Sequence, residues 1–157
     1  MKNSKTIGTA LVMFLMLALG TTAFAQSSAE SESEHAKSAV QGIDFFHGSF
    51  SEAKAKAAKE NKLIFIDAYT VWCGPCKWMA ANTFTDSAVG EFFNKNFVNM
   101  KVDMEKGEGR ELARRYRVAA YPTLLFVDSQ GAVKHRAMGA KRSGDFIALG
   151  KKATGKK

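Results

Sequence analysis

The stretch Trp72-Cys73-Gly74-Pro75-Cys76-Lys77 narrows the folds open to this chain more than any other part of it. It holds both cysteines of the sequence. Two residues separate them, so on a helix the sulfurs fall at i and i+3 and face each other across one turn. Pro75 suits a helix start, where its missing N–H would have had no partner. Directly upstream, Leu63-Ile64-Phe65-Ile66-Asp67-Ala68-Tyr69 is a short apolar run that reads as a buried strand. A strand that delivers Cys-X-X-Cys to the start of a helix is the pattern of a reversible dithiol/disulfide site.

The position assigns roles to the two thiols. The first turn of a helix has unpaired N–H groups and partial positive charge, which stabilise a thiolate. Thiol pKa values at such sites fall from about 8.5 to roughly 3.5–7.5. Cys73 is therefore the expected nucleophile and Cys76, one turn inward, the expected resolving thiol. Gly74 lets a partner chain approach the sulfur, and Pro75 stiffens the turn. Lys77 in a first turn works against the helix dipole and receives no catalytic role. A structural zinc site needs about four ligands, and His35, His47 and His135 are scattered without a paired spacing. A c-type haem attachment needs His after the second Cys, where this chain has Lys77. A purely structural disulfide is the weaker alternative, because closing so small a loop constrains the unfolded chain little.

At 157 residues the chain can build one domain with a substantial core. Its formal charge of +8 could suit nucleic acid or an anionic surface. The basic residues are spread along the sequence, however, and residues 153–157 read as a basic tail, so nucleic-acid binding is not expected. Lys2 and Lys5 precede an uncharged apolar stretch from Ile7 to Gly20, and Ala23-Phe24-Ala25 fits a small-X-small cleavage pattern. Residues 1–25 are thus expected to be a signal peptide cut before Gln26, with an uncleaved membrane anchor as the rival. The expectation is an exported protein, periplasmic or secreted. In an oxidising compartment an exposed dithiol stays reduced only with a dedicated electron supply. Residues 26–42 are Ser/Glu-rich and without periodicity, a disordered polar leader.

The ordered domain is expected over residues 43–152. Ile43 to Phe46 is a candidate first strand. Ser49 or Ser51 caps a helix to about Glu60, with Ala53, Ala57 and Ala58 inward. Residues 63–69 are a strand and the cysteine helix runs to about Asn82. Thr83-Phe84-Thr85-Asp86 interrupts, and Thr85 or Asp86 caps a helix through Ala88, Val89, Phe92 and Phe93. Residues 97–103 are a strand, Gly107 to Arg117 a helix, 123–127 a strand, Asp128-Ser129-Gln130-Gly131 a turn, 133–138 its antiparallel partner, and Ser143 opens a last helix. The order β-α-β-α-α-β-α-β-β-α gives an α/β fold, a central mixed β-sheet flanked by helices on both faces.

The strand, Trp-Cys-Gly-Pro-Cys-Lys, the later Tyr121-Pro122-Thr123 and the closing hairpin and helix resemble the thioredoxin family over roughly residues 43–152. Within it, Thr83-Phe84-Thr85-Asp86 and the extra short helix are similar to secreted bacterial members and to the C-terminal domain of the transmembrane thiol:disulfide interchange reductase. The resemblance implies a thioredoxin-like fold and adds three positions. Asp67 matches the buried carboxylate that takes and returns the proton of the resolving thiol, here Cys76. Lys101 matches the lysine that pairs with that carboxylate. Pro122 matches the cis-proline, preceded by the residue, here Tyr121, whose backbone pairs with the substrate strand. The approach Ala68-Tyr69-Thr70-Val71 departs from the commoner aromatic-rich, acidic one and makes the rim more apolar. Trp72 is expected in the docking surface. Gly139 matches a family glycine near the site, with an ordinary turn glycine as the equal alternative. Trp78, Met79, Met100 and Met104 read as core or half-exposed packing, and His47 and His135 as surface residues.

The expected function is an exported thiol–disulfide oxidoreductase, a reductase because Gly-Pro between the cysteines resembles reducing thioredoxins. The alternatives are a disulfide oxidase or isomerase, and a binding or assembly module in which redox turnover is incidental. Expected partners are disulfide-containing or dithiol client proteins and, for a reductase, a membrane electron donor. A monomer is expected. No cofactor beyond the Cys73–Cys76 disulfide is expected, and no nucleotide, flavin or metal site.

Overall fold

Strand β1 (Leu63–Tyr69) is the axis on which the other elements are laid. The computed structural model describes residues 42–156. The expected signal peptide and all of the leader but Gly42 lie outside the described residues. A four-stranded sheet runs in the order β2 (Phe97–Asp103), β1, β3 (Thr123–Val127), β4 (Val133–Met138). β1 pairs parallel with β2 and antiparallel with β3, and β3 pairs antiparallel with β4. The sheet is therefore mixed, as the alternating pattern predicts.

Because strand side chains alternate between faces, β1 feeds two cores. Ile64, Ile66 and Ala68 join one layer with Phe50, Ala53 and Ala57 of α1 (Phe50–Glu60) and Leu112 of α4 (Gly109–Arg115). Phe65 joins the opposite layer with Met79 of α2 (Gly74–Asn82), Val89 and Phe93 of α3 (Ser87–Asn96) and Phe146 of α5 (Ser143–Thr154). The second layer is built from aromatic rings. Phe65 sits 5.2–6.2 Å from the rings of Phe84, Phe93, Phe126 and Phe146, and Phe93 stacks on Phe146 at 4.0 Å. Such pairs add roughly 0.5–1.5 kcal/mol each beyond burial.

Local signals set the helix starts. Ser49, not Ser51, caps α1 and forms a reciprocal box with Glu52. Asp86 caps α3 by accepting the N–H groups of Ala88 and Val89.

Three boundaries differ from expectation. Ile43 to Phe46 is not a strand: only Phe45 bridges β2, opposite Asn99. Ile43 instead donates to the Phe84 carbonyl at 2.7 Å, so the segment crosses toward the α2–α3 connection before it can run along β2. Helix α4 begins at Gly109 because Gly107 adopts φ +48° and residues 106–109 turn, and Arg117 at φ +49° lies beyond its end. Helix α5 runs two residues past Lys152, to Thr154.

Replacing Phe65 with Ala removes a fully buried ring from the aromatic layer. The expected loss is about 3–5 kcal/mol of unfolding free energy, read from urea denaturation. A loss below about 1 kcal/mol would mean that the ring cluster does not hold this face of the sheet.

Candidate active site

Strand β1 ends at Tyr69, and four residues later the chain reaches Cys73, the N-cap of α2. Cys73 keeps an extended backbone, and its sulfur accepts the N–H of Cys76 at 3.1 Å. That contact uses one of the unpaired donors of the helix start on sulfur. The two cysteines are joined by a disulfide, so the structure is the oxidised form. Cys73 and Cys76 are 3% and 2% exposed, and a partner reaches the sulfurs only across their rim. Gly74 and Pro75 form the open side of that rim, and a Cβ on Gly74 would meet nothing within 4 Å.

The other wall is aromatic. Trp72 stands 63% exposed, its indole N–H donating to the Glu105 carboxylate at 3.0–3.1 Å and its ring edge-on to Tyr121 at 5.7 Å. Tyr121 precedes Pro122 through a cis peptide bond. Thr123 lies opposite Ala68 in the β1–β3 register, which brings the buried Pro122 alongside the approach to Cys73. Gly139, at φ +77°, turns the chain after β4 and donates its N–H to the Pro122 carbonyl at 2.9 Å.

Asp67 occupies the β1 face that also carries Phe65 and packs under α2, α3 and α5. Its register partners are Lys101 on β2 and Leu124 on β3. The side chain is fully buried and neither carboxyl oxygen has a hydrogen-bond partner. Burial pushes the Asp67 carboxyl from its ordinary 3.8 up to about 6, against the opposing pull of the Lys101 ammonium. Lys101 Nζ lies 3.7 Å from Asp67 Oδ2, within ion-pair reach but beyond a hydrogen bond. The ammonium also sits over the rings of Tyr69 at 4.8 Å and Phe84 at 5.6 Å, and these contacts help hold it there. A cleft of about 230 Å³ is lined by Tyr69, Thr70, Cys76, Lys77 and Lys101, so the inner cysteine and the partner of Asp67 face the same space. A carboxyl that titrates near neutral pH can both accept and return a proton.

The fold thus gathers all nine residues singled out in the sequence: Trp72, Cys73, Gly74, Pro75 and Cys76 at the α2 start, Asp67 and Lys101 on adjacent strands, and Tyr121 and Pro122 before β3. The sequence reading missed Glu105, which anchors the Trp72 indole from 33 residues away, and Thr70, whose buried hydroxyl has no partner and lines the cleft beside Cys76. No local pattern marks either. Met79, Met100 and Met104 are core residues, whereas Trp78 is 42% exposed. His47 is exposed, but His135 is half-buried against Phe126. Among the described residues no cluster of three or more His, Cys, Asp or Glu could hold a metal ion, and no helix is long and apolar enough to cross a membrane.

Comparison with known proteins matches residues 46–129, just over half of the chain, to a family model described as thioredoxin-like. The chain is 39% identical over 70 residues to thioredoxin-1 of Drosophila melanogaster, covering 45% of this chain and 61% of that protein. It is 29% identical over 152 residues to the thiol:disulfide interchange protein DsbD of Colwellia psychrerythraea, covering 88% of this chain and 24% of that protein. The chain therefore spans less than two thirds of either relative. A solution structure from Bacteroides thetaiotaomicron, described as a proposed disulphide-isomerase, is 48% identical with a TM-score of 0.65 over 73% of this chain and 94% of that one.

The raised carboxyl makes stability depend on pH. Below about pH 4, Asp67 is protonated in both folded and unfolded chains. Between about 4 and 6 the folded chain retains a proton that the unfolded chain has released, so stability falls as pH rises. Above about 6 the full penalty persists, and the gap between 3.8 and about 6 corresponds to about 3 kcal/mol. Asp67→Asn is therefore expected to be more stable than the parent at pH 7, by up to about 3 kcal/mol, and nearly equal to it at pH 4. Denaturant unfolding at the two pH values checks this. An equal difference at both would remove the buried charge as its cause.

Proposed function

The chain belongs to the thioredoxin-like family, and from that premise we propose that it is a thiol–disulfide oxidoreductase that reduces client disulfides outside the cytoplasm. The observation that carries the reading is the pairing of a Cys-Gly-Pro-Cys disulfide at a helix start with a buried carboxyl held near pKa 6. In the reduced form the Cys73 thiolate attacks a client disulfide. A Cys73–client mixed disulfide forms and the first client thiolate leaves. Asp67, paired with the Lys101 that lines the same cleft as Cys76, takes the proton of Cys76. The Cys76 thiolate then attacks Cys73 Sγ, the mixed disulfide breaks, and the second client thiolate leaves and is protonated. Two electrons pass to the client, and the oxidised pair seen here must be re-reduced by a dithiol donor, at the membrane if the protein is exported. Lys101 tempers the rise in the Asp67 pKa. Trp72, Gly74, Pro75 and Tyr121 receive the client, whose strand pairs with the Tyr121 backbone.

The Gly-Pro dipeptide supports reduction. Disulfide isomerisation is the second reading, favoured by the description of the 48% identical Bacteroides protein. Export is supported by the basic, apolar and small-X-small pattern of residues 1–25.

Cys76→Ser, expressed in cells, is expected to accumulate mixed disulfides through Cys73, resolved on non-reducing gels and identified by mass spectrometry. Exported proteins are expected among the captured species, and Cys73→Ser captures none. No trapped species would count against exchange, and capture of cytoplasmic proteins alone would count against export. With both cysteines present, Asp67→Asn should slow exchange at pH 7 by about 10-fold or more relative to the parent. An unchanged rate would take Asp67 out of the mechanism.

A further inference from the structure

Five large apolar side chains stand exposed among the described residues: Val71, Trp72, Trp78, Val133 and Met138. Scattered exposed apolar groups are ordinary, but four of these five stand around the disulfide. Val71 and Trp72 precede Cys73, and Met138 pairs with Thr123, next to Pro122. Trp78 lies on α2, five residues past Cys73. Val133 alone is at the far end of β4.

Trp72 is accounted for by its bond to Glu105 and its contact with Tyr121. Trp78 has neither kind of partner: among the described residues its indole N–H meets no acceptor and its ring no other ring. The side of α2 turned to the core carries Cys76, Met79 and the capping Thr83, all buried. Trp78 is on the opposite side. It follows Gly74 by four residues, so it stands about 40° round the helix and about 6 Å along the axis from it. Helix side chains tend to lean toward the N-terminus, the direction in which Gly74 lies from Trp78. Gly74 leaves open space, since a Cβ there would meet nothing within 4 Å. Beside the disulfide stands a fixed indole at Trp72, and the exposed side of α2 carries first the open position at Gly74 and then, one turn on, the unpartnered indole of Trp78.

We propose that Trp78 is a client-binding residue, the second wall of a notch over Gly74 that favours clients with a bulky apolar side chain beside the attacked cysteine. The inference rests on the exchange reading above and narrows its substrate class. Continuity with the disulfide argues for a client rather than a second copy of this chain. A residue next to the client cysteine enters the notch when that cysteine bonds to Cys73, whereas a dimer face would have no reason to centre on the sulfur.

The test compares two disulfide-bonded peptides that differ only in Phe or Gly beside the cysteine, reacted with the full reduced chain. The parent is expected to reduce the Phe peptide on the order of 5-fold faster. Trp78→Ala is expected to bring the ratio near one, Trp78→Phe to keep most of it, and Val133→Ala to leave it as in the parent. A parent ratio near one, or a ratio that survives Trp78→Ala while oxidised glutathione is still reduced by the parent, would overturn this inference alone. Failure of the parent to exchange with glutathione or either peptide would overturn the exchange reading and this inference with it. A dimer in sedimentation that Trp78→Ala abolishes, without a change in the peptide ratio, would assign the face to a second copy.

Discussion

A carboxyl without a hydrogen-bond partner inside an aromatic layer costs stability, and β1 places one at Asp67. The rest of the site is arranged around that cost. The parallel register sets Lys101 beside it, close enough to limit the penalty and too far to cancel it. Rings of Tyr69 and Phe84 hold the ammonium in place. Lys101 and Cys76 line one cleft, which sets the inner thiol near the partner of Asp67. The result is a proton acceptor poised near neutral pH rather than a permanently charged or permanently neutral group.

Such a group needs a rigid scaffold, because relaxation or water entry would return the carboxyl to its ordinary pKa. The phenylalanine layer supplies the rigidity. Phe65, two residues before Asp67 on the same strand face, contacts rings contributed by the α2–α3 connection, α3, β3 and α5. The face that dries Asp67 is therefore the one that fixes α2, and with it Cys73 at the helix start. Burial of the acid and placement of the thiol come from one packing arrangement.

How much of this the sequence reveals depends on the range of each interaction. The β1–Cys73–α2 unit is local: an apolar run, a capping position and a proline at the first turn identify it without tertiary knowledge. The caps at Ser49 and Asp86 are local too. Asp67, Lys101 and Pro122 become visible only through the family resemblance, since an aspartate in an apolar run or a Tyr-Pro pair has many ordinary uses. Glu105 and Thr70 had no signal, because the contacts that define them depend on how distant segments meet. Ile43 to Phe46 does not form the expected strand for a related reason: apolar character reports burial, not strand pairing, and with Ile43 bonded to Phe84 the segment meets β2 only around Phe45. For Trp78 the sequence leaves core and half-exposed packing both open, and the structure makes it 42% exposed. Its exposed side is set by the phase of α2, which Cys76 and Met79 fix on the core.

The central proposal for the Cys73–Cys76 pair is a reducing dithiol whose resolving step is served by the buried acid. The reduction potential of the pair, measured by equilibration of the full chain against glutathione, tests this most directly. A value near that of thioredoxin, about −270 mV, is the predicted result. A value near about −120 mV, that of a strong oxidant, would contradict it.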